Sequence, residues 1–183
     1  MRVKSLIVLL FVLLVGCGSG AKDGISVDDL AIVKVDDESQ VVKYGMSREE
    51  VESVLGQPEE KYSSKYPSGI DVKYRDDKAV LFSLRQEAGG SYKSVVGAEI
   101  GMTKDDIMKI FGEDNVSERE SSGSAVLSVS YDLKNKKYLD EKLIEEYPAE
   151  EYKNILMISI YLDANGKATD ISTGDAWALI VGG

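Results

Sequence analysis

Gly45-Met46-Ser47-Arg48-Glu49-Glu50-Val51-Glu52-Ser53-Val54-Leu55-Gly56 is followed 56 residues later by Gly101-Met102-Thr103-Lys104-Asp105-Asp106-Ile107-Met108-Lys109-Ile110-Phe111-Gly112. The two glycines and the methionine are identical and most other positions keep their chemical type, which marks an internal repeat. Each copy specifies a short helix at both ends. Ser47 and Thr103 stand at the N-cap, with Glu50 and Asp106 three residues on, a capping box in the first copy and a shortened one in the second. Met46 with Val51, and Met102 with Ile107, occupy the hydrophobic-staple positions. Acidic residues fill both first turns, facing the positive end of the helix dipole. Gly56 and Gly112 fall where a C-terminal glycine is wanted, and Pro58 blocks continuation of the first helix. Val51, Val54 and Leu55, matched by Ile107, Ile110 and Phe111, form one apolar stripe. Two turns of helix cannot hold alone, so each copy must lean on strands supplied by the residues C-terminal to it.

The chain opens with Arg2 and Lys4, an apolar run over residues 6–15, and Gly16-Cys17. Such a run suits a signal-peptide core and falls short of the ~20 residues a membrane span needs. Leu14-Val15-Gly16-Cys17 resembles the lipobox of bacterial lipoproteins, in which the leader is cut before a lipid-bearing cysteine. Residues 1–16 are therefore expected to be a lipoprotein signal peptide, with Cys17 as the lipidation site. Cys17 is the only cysteine and there is no histidine. The familiar zinc sets, the Ser-His-Asp triad and the Cys-His dyad are thereby excluded. A formal charge of −10 and a pI near 4.6 disfavour nucleic acid and anionic headgroups, both of which call for basic surface. The expectation is an extracytoplasmic protein held to the cell membrane, or to the outer membrane where there is one, by its lipid.

Residues 17–38 read as the lipidated flexible tether and a lead-in, 39–91 as a first repeat, and 92–183 as a second repeat carrying a charged insertion over 134–154. Strands are expected near 59–66, 70–75 and 79–85 in the first repeat, and near 125–133, 155–162 and 167–172 in the second. Asn165-Gly166 between apolar runs is a strong hairpin signal. In the insertion, Leu139, Leu143 and Tyr147 fall at i, i+4, i+8 before Pro148, which predicts a surface helix. The apolar residues 176–181 are expected to dock as a closing edge element.

The order Gly-Met-Ser/Thr, short helix, Leu/Phe-Gly, strands and an Asp163-Ala164-Asn165-Gly166 turn resembles the SmpA/OmlA (BamE-like) lipoproteins of outer-membrane assembly. It is similar also to the β-lactamase-inhibitor-protein fold, which is built from tandem units of this kind. The resemblance covers residues 44–172 and rests on Gly45-Met46-Ser47, Val51, Leu55-Gly56 and Pro58, and on Gly101-Met102-Thr103, Ile107, Phe111-Gly112 and the 163–166 turn. It implies an α+β fold of two tandem repeats, each a short helical element packed on an antiparallel β-sheet. The chain departs from the assembly lipoproteins in having two such units and the insertion.

Functional expectations come from strand parity. Val72, Tyr74, Val80, Phe82, Leu84, Leu156, Ile158, Ile160 and Leu162 should face the helices. Lys73, Arg75, Leu81, Arg85, Met157 and Tyr161 should lie on an open sheet face, an apolar cluster beside basic residues on an acidic protein, and so form a partner-binding surface. Charge reversal at Arg75 is then expected to spare stability. Neighbouring acids such as Asp76-Asp77 point apart and make poor two-carboxylate sites, and the 163–166 turn lacks the calcium-loop spacing. No catalytic residue, metal or cofactor is expected. The function expected is that of a protein-binding module, a scaffold or assembly component of an envelope complex. The alternatives are an inhibitor or sensor of an envelope enzyme, and small-ligand or ion binding in a groove between the repeats.

Overall fold

The computed structural model describes residues 24–61, 64–121 and 124–182. The signal peptide expected over residues 1–16 and the expected lipidation site, Cys17, lie outside the described residues. Among those described, no helix is long and apolar enough to cross a membrane.

The caps form as their residues require. The first helix, α1 (Arg48–Leu55), begins at Ser47, whose hydroxyl accepts from the Glu50 amide while the Glu50 carboxylate accepts from the Ser47 amide at 2.7 Å. In α2 (Lys104–Phe111) Thr103 accepts from the Asp106 amide, but the shorter Asp106 side chain takes the Thr103 hydroxyl instead of returning to its amide. These bonds hold the Glu50 and Asp106 carboxyls below their usual range. Gly56 and Gly112 leave the two helices at φ 83° and 81°, a region that favours glycine.

The strands are β1 (Ala31–Lys34), β2 (Val41–Lys43), β3 (Lys65–Tyr66), β4 (Ile70–Arg75), β5 (Lys78–Leu84), β6 (Tyr92–Ser94), β7 (Ser117–Ser121), β8 (Ser124–Asp132), β9 (Lys137–Leu139), β10 (Ile155–Leu162) and β11 (Ala168–Asp175). They build two antiparallel sheets. One has three strands in the order β2-β1-β6, and the other has eight, in the order β3-β4-β5-β11-β10-β8-β7 with β9 also on β8.

This arrangement corrects the expected fold class. The chain is mostly β, and it is not two helix-on-sheet repeats. The hairpin β4–β5 leaves one edge of β5 unpaired, and an open edge is costly and prone to stray pairing. β11 fills it, with Ile171, Ser172, Thr173 and Gly174 opposite Leu84, Ser83, Phe82 and Leu81. Strands from both halves thus become one sheet. The lead-in supplies β1, which pairs with β6 just past the boundary expected at residue 91. Local likeness between the two Gly-Met stretches persists. Gly45 and Met46 exchange backbone bonds with Ala79, and Gly101 and Met102 do the same with Ala168.

The main core lies between the large sheet, the small sheet and both helices. It gathers Leu30, Ile32, Val42, Val51, Val72, Phe82, Leu84, Ile107, Phe111, Leu127, Val129, Leu156, Ile158 and Ile160. The expected inward parity therefore holds for Val72, Phe82, Leu84 and the four β10 residues, with Tyr74 packed against this core. Val80 departs from it. Lys73 pairs with Leu81 and Tyr74 with Ala79, so Val80 is the extra residue of a β-bulge and packs instead with Leu81 and Ala178. Gly174 sits against this bulge, where a Cβ would come within 2.5 Å of the Val80 carbonyl oxygen.

Candidate partner-binding face

The sheet face turned away from α1 and α2 carries three cross-strand rows, because residues paired directly across strands share a face. One row runs Lys73, Leu81, Gly174, Met157, Ser130, Leu139. The next runs Asp71, Ser83, Ser172, Ser159, Ser128, Ser117, five consecutive serines across five strands. The third runs Asp170, Tyr161, Val126, Arg119.

Two segments cover part of this face. The insertion is not one helix. Leu139 pairs with Ser130 and draws the chain into β9, Pro148 interrupts further on, and what remains is α3 (Glu141–Ile144) and a 3₁₀ helix (Ala149–Asn154). Leu139 and Ile144 meet Ile155, Met157 and Ala176 in a satellite cluster with Tyr147, Tyr152 and Leu179. Asp132 anchors it, accepting from the Lys134 and Asn135 amides, the Asn135 side chain and, at 3.0 Å, the Tyr147 hydroxyl. Burial pushes the Asp132 carboxyl up, but these donors outweigh it and hold the group below its usual range.

Residues 176–181, expected at a sheet edge, instead turn over the face as a π-helical turn, Trp177–Val181. Asp175 fixes that turn. Fully buried, it accepts from the Ala178 amide at 2.8 Å, the Tyr44 hydroxyl at 2.7 Å and both terminal nitrogens of Arg75. Burial, followed by the Asp175 bond, pushes the Tyr44 hydroxyl up to about 12. The Asp175 bond likewise holds Arg75 above its usual value.

The six expected partner-binding residues therefore divide. Leu81 and Met157 are each only 3% exposed, Lys73 donates to the Ala178 carbonyl at 3.2 Å, and Arg75 is committed to Asp175. For these four the expectation of an open position is corrected: the insertion and the terminal turn cap them. Tyr161 stays 41% exposed, and the Arg85 side chain 49% exposed while bonded to Asp71 and Asp170.

What stays open is a pair of clefts. The larger, about 360 Å³, lies between α3 and the terminal turn, over Ser117, Val126, Met157, Ser159 and Tyr161, with Leu179 and Ile180 on one side. The smaller, about 260 Å³, lies over Ser83 and Ser172 beside Lys73 and Arg85. Tyr161 and Leu179 line both. Ser83 and Ser172 bond each other at 2.8 Å, whereas the buried hydroxyls of Ser128 and Ser130 have no hydrogen-bond partner among the described residues. Sequence reasoning does not single out the serine row. Its only trace there is alternation such as Leu127-Ser128-Val129-Ser130, and the register that aligns it across strands is a long-range property.

Among the described residues no group of three or more histidine, cysteine or acidic side chains is placed to hold a metal. No family model matches the chain and no curated protein matches it. Among solved structures it is similar to an extracellular protein containing a SCP domain from Bacillus anthracis str. Ames, at 13% identity and a TM-score of 0.41, over 75% of this chain and 45% of that one. The chain thus spans less than half the length of that protein.

Proposed function

We propose that this chain is a lipid-anchored, extracytoplasmic protein-binding module, a scaffold or assembly component of a cell-envelope complex. The observation that carries the binding part is the double cleft. Most of the outer face is capped by the chain's own segments, yet Tyr161 (41%) and Ile180 (51%) stay exposed at the clefts. Large exposed apolar side chains gathered at a concave surface are what partner sites present. Tyr161 suits the role, with a broad ring to bury and a polar tip. The location rests on the leader and on Leu14-Val15-Gly16-Cys17.

Two measurements test this. Intact-mass analysis of protein from membranes should find lipid on Cys17, and Cys17→Ser should release the chain into the soluble fraction; an unmodified Cys17 would overturn the anchor. In-cell cross-linking from a photoreactive residue at Tyr161 should give a discrete protein adduct. Its absence, with adducts formed equally from a control site such as Asp36, would overturn the binding role.

A further inference from the structure

The chain enters its core within two residues. Gly24 lies against β8, where a Cβ would overlap the Tyr131 hydroxyl, and Ile25 is already buried in the main core. Cys17 precedes Gly24 by 24 − 17 = 7 residues, which even fully extended span no more than about 25 Å. A lipid on Cys17 therefore holds the end of the sheet around Tyr131 close to the bilayer, and the surface at that end decides how the protein sits there.

That surface carries a basic turn on an otherwise acidic protein. Tyr131 lies opposite Tyr138, and beyond this pair β8 turns into β9 through Leu133, Lys134, Asn135 and Lys136, with Lys137 opening β9. Three lysines in four positions are the densest run of positive charge in the sequence. Lys134 is used by Glu151 at 3.0 Å, but Lys136 and Lys137 are exposed and form no ion pair among the described residues. Asp132, at the foot of the turn, is committed to its own four donors. In the entry segment Asp29 turns back on Ser26, leaving Asp28 exposed.

The other end of the same strands is different. Ile155 lies opposite Asp132 and Leu162 opposite Ala125, so the 163–166 turn stands about 24 Å from the lysine end. There Glu118, Glu120 and Asp163 outnumber Lys104 and Lys167.

We propose that the β8–β9 turn is the membrane-facing end of the protein, its free lysines resting on the anionic headgroups of the bilayer that holds the lipid. This rests on the lipid-anchor reading and adds an orientation. The acidic protein as a whole is repelled by such headgroups, so the lipid supplies affinity and the lysines supply direction. Each lysine at an anionic surface favours contact about fivefold, and the pair therefore favours this orientation about 25-fold. Tyr161, six residues along β10 from Ile155, is then carried up to about 20 Å farther from the lipid, where a partner can reach it.

The test places the full lipidated chain in phosphatidylglycerol vesicles doped with a phospholipid bearing a diazirine on its headgroup, and maps the adducts by mass spectrometry. Residues 133–138 should be labelled at least tenfold more than residues 163–167. The bias should fall about tenfold when Lys136→Glu and Lys137→Glu are combined, survive Lys136→Arg with Lys137→Arg, and shrink in high salt or in phosphatidylcholine vesicles. Both positions are exposed, so folding should be undisturbed, as the fluorescence of the single tryptophan, Trp177, would verify. Equal labelling of the two turns, or a bias indifferent to charge reversal, would overturn the orientation; lipid found on Cys17 by intact mass in the same sample would leave the anchor standing. A Cys17 without lipid would remove both.

Discussion

The two faces of the large sheet are made from the same strands by different rules. On the inner face Leu127, Ile158, Ile160, Ile171 and Phe82 are wholly buried against helices and the small sheet. One residue along on each strand, the outer face shows Ser128, Ser159, Ser172 and Ser83. The inner face is filled by large side chains and the outer by small polar ones that leave depth. One face therefore holds the fold together, while the other is only partly covered, by the insertion and the terminal turn. Close packing inside and residual concavity outside come from a period-2 alternation of large aliphatic and serine.

The comparison breaks most easily at Asp175, which ties the outer turn to Tyr44 and Arg75. Asp175→Ala leaves a largely buried guanidinium without its carboxylate and should cost about 3–5 kcal/mol. In a chain of this size that lowers Tm by roughly 6–20 °C, at about 2–4 °C per kcal/mol, measurable by calorimetry. Arg75→Glu should destabilise as well, contrary to the expectation that the position is free. The Tyr44 hydroxyl adds a pH signature. Its folded value, about 12, lies above the ordinary 10, so its contribution is complete below pH 10 and is lost as pH rises from 10 toward 12.

Adjacent residues on β10 give the direct test of inner against outer. Ile158→Ala should cost about 3–4 kcal/mol and Met157→Ala about 2, because the satellite cluster can relax where the main core cannot. Equal costs in denaturant titrations would mean that the two faces are packed alike.

Smaller effects distinguish the cap from the sheet. Asp132→Asn should cost about 1–2 kcal/mol and speed hydrogen exchange in residues 134–154 while leaving β10 and β11 protected. Acid should do the same to the wild type: the Asp132 carboxyl lies below its ordinary 3.8 when folded, so its contribution is present above that pH and is lost as pH falls further. Uniform loss of protection would show that the insertion and the sheet open as one unit.

The smallest effects are stabilising. Thr173, on the inner face, has a buried hydroxyl with no partner among the described residues. Thr173→Val should gain about 1 kcal/mol by removing an unpaired polar group. Ser128→Ala beneath the outer cap should gain less if water reaches it from the cleft; an equal gain in chemical denaturation would mean that site is as dry as the core.

What could be read from the sequence was local. Ser47, Glu50 and Gly56 fix a helix within ten residues, and Asn165-Gly166 fixes the β10–β11 hairpin, where Asp163 accepts from the Asn165 and Lys167 amides. What could not be read was pairing at a distance. Nothing near Ser83 names Ser172 as its neighbour, so the joining of β5 to β11 was invisible, and with it the single large sheet. The bulge at Val80 is set by that same junction. The i, i+4 spacing of Leu139 and Leu143 lost to strand pairing at Leu139, a tertiary override of a weak periodic pattern. Of the candidate face, parity placed Tyr161, Met157 and Leu81 on the right side of the sheet. It could not say which of them the chain would cover with its own end.

The junction between β5 and β11 also has a consequence in time. Ser83 and Ser172 are 89 residues apart, so closing the β5–β11 junction is a long-range step that follows the local β4–β5 hairpin. Until β11 docks, that hairpin has an uncovered edge, and such an edge invites pairing with other chains. Lys73, Arg75, Lys78 and Arg85, interspersed along that hairpin, are charges of the kind that discourage stray pairing at an open edge.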